Sequence, residues 1–181
     1  ENGSYFYDIE DLDHNGKVDI SDGGDRYVAG QATPKVILGS NISFRYKNFY
    51  VSIQMNGAFG HKIFNGTGLA YTSMACFPDY NVFKDAPKKN IIDQRVSDYW
   101  LEKGDYLNFE HLTIGYNVPL RSKLIRSLRV SCNISNIGTI TGYKGLTPMI
   151  NSYVVNSTMG IDDKRNYPLY RTYSLGLSVQ F

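Results

Sequence analysis

The sequence predicts an all-β protein built from antiparallel, up-and-down strands. Five segments alternate apolar and polar residues with period two, which is the signature of half-buried strands. The connections between them alternate strictly between long and short. The best helical candidate, Asn90 to Leu101, has only weak helical spacing.

Taken in order, residues 1–35 precede the first strand. In that strand Val36, Leu38, Ile42 and Phe44 share one face, with Ile37, Gly39, Asn41, Ser43 and Arg45 opposite. A tight turn at Lys47-Asn48 leads to the second strand. There Phe49, Val51, Ile53 and Met55 oppose Tyr50, Ser52, Gln54 and Asn56. A long connection from Gly60 to Asp105 follows. Leu112, Ile114, Tyr116 and Val118 form the apolar face of a third strand against Thr113, Gly115 and Asn117. The basic piece from Pro119 to Ser127 joins it to a fourth. That strand sets Leu128, Val130, Cys132 and Ile134 against Arg129, Ser131, Asn133 and Ser135. A second long connection, Thr141 to Leu169, leads to the last strand. Here Tyr173, Leu175, Leu177, Val179 and Phe181 oppose Ser174, Gly176, Ser178 and Gln180.

In an up-and-down sheet, connections fall alternately at the two ends. Every long piece therefore lies at one end and both short turns at the other. Long loops opposite short turns are the habit of outer-membrane barrels, whose long loops are extracellular. Aromatics gather near the short-turn end, at Phe44, Tyr46, Phe49, Tyr50, Tyr116 and Phe181, as an interfacial girdle would. A chain that closes on an alternating strand with a terminal phenylalanine is similar to the C-terminal strand of bacterial outer-membrane proteins.

Composition narrows the classes. The 181 residues suffice for a domain of ordinary size, and a net charge of +2 gives no field that would argue for nucleic acid. No apolar run approaches the roughly 20 residues of a transmembrane helix, which leaves membrane strands open. Cys76 and Cys132 form no metal motif and no disulfide framework. A soluble, secreted, calcium-stabilised β-sandwich that binds carbohydrate would show a similar alternation, so period alone does not decide between the two.

Five blocks of sequence resemble the SusC/RagA-like TonB-dependent transporters of Bacteroidota outer membranes. They are DLDHNGKVDISDGGDRYVAGQATPKVILGSNISFRYKNF, NGAFGHKIFN, YWLEKGDYLNFEHLTIGYNVP, ITGYKGLTP and YPLYRTYSLGLSVQF. The resemblance implies the C-terminal part of a 22-stranded outer-membrane β-barrel, since five strands cannot close one. It implies a SusD-like surface lipoprotein as partner and TonB acting through a plug region absent from this chain. Glycans or peptides would be the nutrients imported. Residues 1–35 would form an extracellular loop, and residues 36–181 barrel strands with long extracellular loops at about 60–105 and 141–169. Thr147-Pro148-Met149 stands where the family carries Asp-Pro-Glu, a departure at a place where partner or substrate contacts could fall.

The stretch Asp11-Leu12-Asp13-His14-Asn15-Gly16-Lys17-Val18-Asp19-Ile20-Ser21-Asp22 has the ligand spacing of an EF-hand calcium loop. Asp11, Asp13, Asn15, Asp19 and Asp22 supply side-chain oxygens, Lys17 a backbone carbonyl, and Gly16 the sharp turn. Asp22 is one methylene shorter than the usual glutamate, so closure of the cage is weaker. The spacing predicts a bound Ca2+ that knits a long surface loop; a metal-free turn held by Asx hydrogen bonds is the alternative. No flanking amphipathic helices make it a sensor. His14, His61 and His111 are scattered, and Glu102 with Asp162-Asp163 has nothing to bring it together as a carboxylate pair. The expectation is therefore a transport protein and not an enzyme.

Overall fold

A computed structural model describes residues 9–19, 21, 24–92, 94–121, 124–150, 159–164 and 167–181. Its elements in chain order are β1 (Val36–Tyr46), β2 (Phe49–Phe59), β3 (Lys62–Asn65), α1 (Gly66–Thr72), α2 (Ala86–Lys89), β4 (Leu101–Lys103), β5 (Tyr106–Val118), β6 (Ser127–Thr141), β7 (Ile161–Asp162) and β8 (Thr172–Gln180). No described helix is long and apolar enough to cross a membrane. The chain divides into two compact units that do not follow chain order.

One unit comprises Pro34–His61, Lys103–Pro148 and Tyr167–Phe181. Its five strands pair in the order β1-β2-β5-β6-β8, every neighbour antiparallel, which is the expected up-and-down succession. The hairpin at Lys47 closes with φ of 52°, the positive angle that primed two-residue turns require at their first central residue.

The register sorts side chains into two faces. On one, transverse rows run Ile42-Ile53-Leu112-Ile134-Tyr173, then Phe44-Val51-Ile114-Cys132-Leu175, then Tyr46-Phe49-Tyr116-Val130-Leu177. On the other they run Asn41-Gln54-His111-Ser135-Thr172 and Ser43-Ser52-Thr113-Asn133-Ser174. The polar rows knit themselves: Ser43 Oγ donates to Ser52 Oγ at 3.0 Å, Ser52 Oγ to Asn41 Oδ1 at 3.0 Å, and Thr113 Oγ1 to Asn133 Oδ1 at 2.9 Å. The apolar face has no second sheet packed on it in this unit. Leu175 is 86% exposed and Leu177 69%. A sandwich would bury that face between two layers.

The third strand begins at Tyr106, directly after the expected long connection, although its clear alternation starts only at Leu112. Pairing with β2 and β6 shifts register beside Glu110, so the bulge inserts one residue and inverts the parity of what precedes it. Odd-numbered Leu107 and Phe109 thereby share the face of even-numbered Leu112 and Ile114. Across β6 the irregularity continues at Asn136 and Ile137, where Asn136 takes φ of 54°. The Arg171 guanidinium satisfies the carbonyls of both residues.

The second unit comprises Glu1–Thr33, Lys62–Glu102 and Met149–Asn166. A small sheet in the order β4-β3-β7 centres it, with β3 and β7 parallel. Asn65 caps α1 by accepting from Gly68 N at 2.6 Å and donates to Glu102 Oε1 at 2.9 Å. Its core is Ile63, Ala86, Ile91 and Trp100 with buried polar Thr72, Ser73 and Asp162. The helical candidate from Asn90 to Leu101 is not a helix. Among its described residues a single 3-10 turn forms, at Asp98–Trp100, and helices occur instead at α1 and α2. Asn90 itself ends α2 with φ of 45°, in the left-handed region that terminates helices.

Candidate functional site

Two arrangements bear on function, and the first is the acidic loop. Asp11 Oδ1 and Oδ2 accept from Asn15 N at 3.2 Å and Gly16 N at 2.7 Å, and Asp13 Oδ1 accepts from Asn15 N at 3.1 Å. Asn15 Oδ1 in turn accepts from Lys17 N at 2.8 Å. Gly16 holds φ of 79°, which explains the glycine at that place. Asp19 takes the N–H and hydroxyl of Ser21 at 2.9 and 2.8 Å, which hold its carboxyl below the usual range.

The carboxylates that converge are Asp11, Asp13 and Asp25, with ligand oxygens within 4.8 Å of one another. Asp25 is not among the residues that the twelve-residue spacing singles out, and Asp22 lies outside the described residues. Asp25 closes the loop from beyond it, accepting from Leu12 N and Asp19 N, each at 2.7 Å. In the sequence Asp25 stands three residues past the end of the template, outside the twelve positions that the spacing covers. Oxygens on opposite sides of a calcium ion lie up to about 5 Å apart, so this trio of hard donors fits that ion. Three like charges at such separation repel, and a divalent cation would offset the repulsion.

The second arrangement is the pair of faces of the five-stranded sheet. Strands of 9 to 15 residues are long enough for a bilayer crossing. Of the expected girdle, Tyr46, Phe49 and Tyr116 occupy one row of the apolar face, and the rings of Phe49 and Tyr116 lie 4.5 Å apart. Tyr50 points the other way. Its ring lies over Gly115, where an added Cβ would sit 1.9 Å from ring carbon, and Arg129 stands 5.3 Å from its centroid. Proximity to the turn suggested the girdle for Tyr50, but strand parity assigns it to the polar face.

That face also holds features which alternation alone does not single out. Asn108, nearly fully buried, accepts from Thr139 Oγ1 at 3.0 Å, and Asn56 Nδ2 donates to Glu110 Oε2 at 3.0 Å. A cavity of about 350 Å³ opens beside Asn108, Asn136, Thr139, Thr147 and Arg171. Cys76 and Cys132 are free thiols.

No protein-family model matches the chain. It is 28% identical over 188 residues to the TonB-dependent receptor P3 of Formosa agariphila, an alignment covering 94% of this chain and 18% of that protein. It is 27% identical over 182 residues to the TonB-dependent receptor SusC of Bacteroides thetaiotaomicron, covering 94% and 17% respectively. In fold it is similar to a chain of the RagAB peptide importer in its closed-closed state, with a TM-score of 0.67 at 18% identity over 92% of this chain and 20% of that one. The open-open state of the same importer gives 0.63 at 18% identity over 82% and 17%. The chain thus spans about a fifth of the length of these relatives. Along almost its whole sequence the chain is thus similar to one part of these TonB-dependent receptors, and its strand framework is similar to that of the RagAB importer chain.

Proposed function

We propose that the chain forms a segment of the wall of an outer-membrane importer for glycans or peptides. The observation that carries this reading is the two-faced single-layer sheet. An apolar face left exposed within its own unit suits lipid, and a self-bonded face of serine, asparagine and threonine suits a polar lumen. With the apolar rows against the bilayer, the strand ends that lead into the long connections are the extracellular ones and the short turns are periplasmic. The remaining strands, and the plug on which TonB pulls, belong to regions outside this chain. A SusD-like lipoprotein, as the sequence resemblance implies, closes over the extracellular mouth and delivers substrate; the importer to which the fold is similar carries peptides, which favours peptides here.

The acidic loop in this reading binds one Ca2+ through Asp11, Asp13 and Asp25, with Asn15, the Lys17 carbonyl, Asp19 and Asp22 completing the set. The ion orders a surface segment without taking part in transport chemistry.

The test uses the full-length receptor, tagged and purified from outer membranes of its host. A SusD-like lipoprotein co-purifies, and deletion of the receptor abolishes growth on a glycan or on peptides as sole nutrient. A receptor that purifies alone, and whose loss leaves growth on both unchanged, overturns the reading.

A further inference from the structure

Charge is distributed along the strands with one strong asymmetry. Of the 17 acidic residues, Glu110 is the single one within 36–59, 106–141 and 172–181 together with the two short turns. It sits at the bulge, eight residues before the end of β5, or roughly 26 Å from the short-turn end. Among the described residues that end collects five cations: Arg45, Lys47, Arg121, Arg126 and Arg129. Three of them fall within the two short turns, 47–48 and 119–126, whose sequence contains no acid.

The cations divide by face. Arg129 belongs to the polar side, where its Nε donates to Asn117 Oδ1 at 2.8 Å, and Arg45 pairs with Tyr50 on that side. Lys47 belongs to the other. Its ammonium stands 5.3 Å from the ring centroid of Tyr46, which heads the aromatic row Tyr46-Phe49-Tyr116. Lys47, Arg121 and Arg126 are exposed. Aromatic belts sit at the level where acyl chains give way to headgroups. A cation just beyond such a belt, on its apolar side, lies at the level of lipid phosphates.

We propose that the short-turn rim is a contact site for anionic phospholipid headgroups, with Lys47 and Arg121 as its principal cations and Arg126 beside them. This rests on the wall reading above. The phosphate would be held by these side chains while the acyl chains lie along Val118, Leu128, Val130, Leu177 and Val179. An acidic protein segment is the other conceivable occupant, but it would meet Arg45 and Arg129 on the polar face, and Lys47 points away from that side.

Each juxtamembrane cation contributes about 1 kcal/mol of attraction to an anionic surface, a roughly fivefold change in lipid affinity. The test places the full-length receptor in nanodiscs of mixed phosphatidylcholine and phosphatidylglycerol and counts retained lipids by native mass spectrometry. Phosphatidylglycerol should be enriched over phosphatidylcholine. Lys47→Gln with Arg121→Gln should lower that enrichment roughly twentyfold, while Lys88→Gln in a long connection leaves it unchanged. Inorganic phosphate at matching concentration should fail to displace the lipid; displacement would show a free-anion site and overturn the lipid assignment. A receptor that inserts but shows no enrichment, or one unchanged in the double variant, overturns this inference alone. A receptor that does not insert overturns the wall reading with it.

Discussion

The two compact units hold themselves together by different means. In the sheet of β1, β2, β5, β6 and β8, continuous backbone ladders hold the strands together, and side chains are free to be mainly apolar on one face and mainly polar on the other. In the other unit the sheet is short, and side chains replace ladders. Asn65 ties α1 to Glu102, Thr67 Oγ1 donates to buried Asp162 Oδ1 at 2.8 Å, and Tyr27 Oη donates to Asp98 Oδ2 at 2.7 Å. A ladder tolerates change in any one side chain but not a change of face. A side-chain-tied loop tolerates changes of polarity but not loss of a particular partner. The units should therefore fail in different ways.

The sharpest contrast is between neighbours on β8. Leu177→Arg puts a charge on the apolar face and should cost about 2–4 kcal/mol at mid-strand depth, while Ser178→Arg on the polar face should cost far less. The amount of assembled, heat-modifiable full-length receptor in outer membranes measures both. Equal loss from the two substitutions would remove the distinction between the faces.

A smaller effect concerns His61, just past β2 at the long-connection end. The ring is buried, edge-on to Tyr106 at 6.4 Å between centroids, and its Nδ1 has no partner. Burial depresses its pKa from 6.5, opposed in part by the Asp105 carboxylate. A depressed histidine is neutral in the fold, so its contribution is complete above pH 6.5 and declines as the pH falls below that value. Melting of the receptor should fall more steeply from pH 7 to pH 5 in the parent than in His61→Gln. Parallel curves would show that this end of the sheet does not sense protonation.

The least global effect is expected from the acidic loop. Asp11→Ala removes two carboxylate acceptors from the backbone of Asn15 and Gly16 and one member of the converging trio. Hydrogen exchange should speed up across residues 11–25 and lose its protection by added calcium, with β1 to β8 unchanged. Calcium-independent exchange in the parent protein would leave an Asx-rich turn without an ion.

The sheet was legible in the sequence because its single-layer faces impose a strict period of two, and Ile42, Ile53, Leu112, Ile134 and Tyr173 do share a row. The faces of residues 106–109 in β5 were not, because a bulge at Glu110 inverts the parity and no residue type announces a bulge. The long connections were opaque for a related reason. Helix α1 is seven residues with two glycines, set by the Asn65 cap and contacts distant in sequence, so no amphipathic stripe precedes it. In the loop, Asp11 and Asp13 followed from spacing, whereas Asp25 reaches back from outside the template.

The central claim is that odd-numbered residues of β8 face lipid and even-numbered ones water. Single cysteines at 173 to 180, introduced into the full-length receptor lacking its native thiols, can be spin-labelled and reconstituted into bilayers. Their accessibilities to oxygen and to a water-soluble nickel complex can then be compared. The account predicts strict alternation, with positions 173, 175, 177 and 179 favouring oxygen and 174, 176, 178 and 180 favouring nickel. Accessibility without that period, or with nickel reaching Leu175 and Leu177 as readily as Ser174 and Ser178, would contradict it.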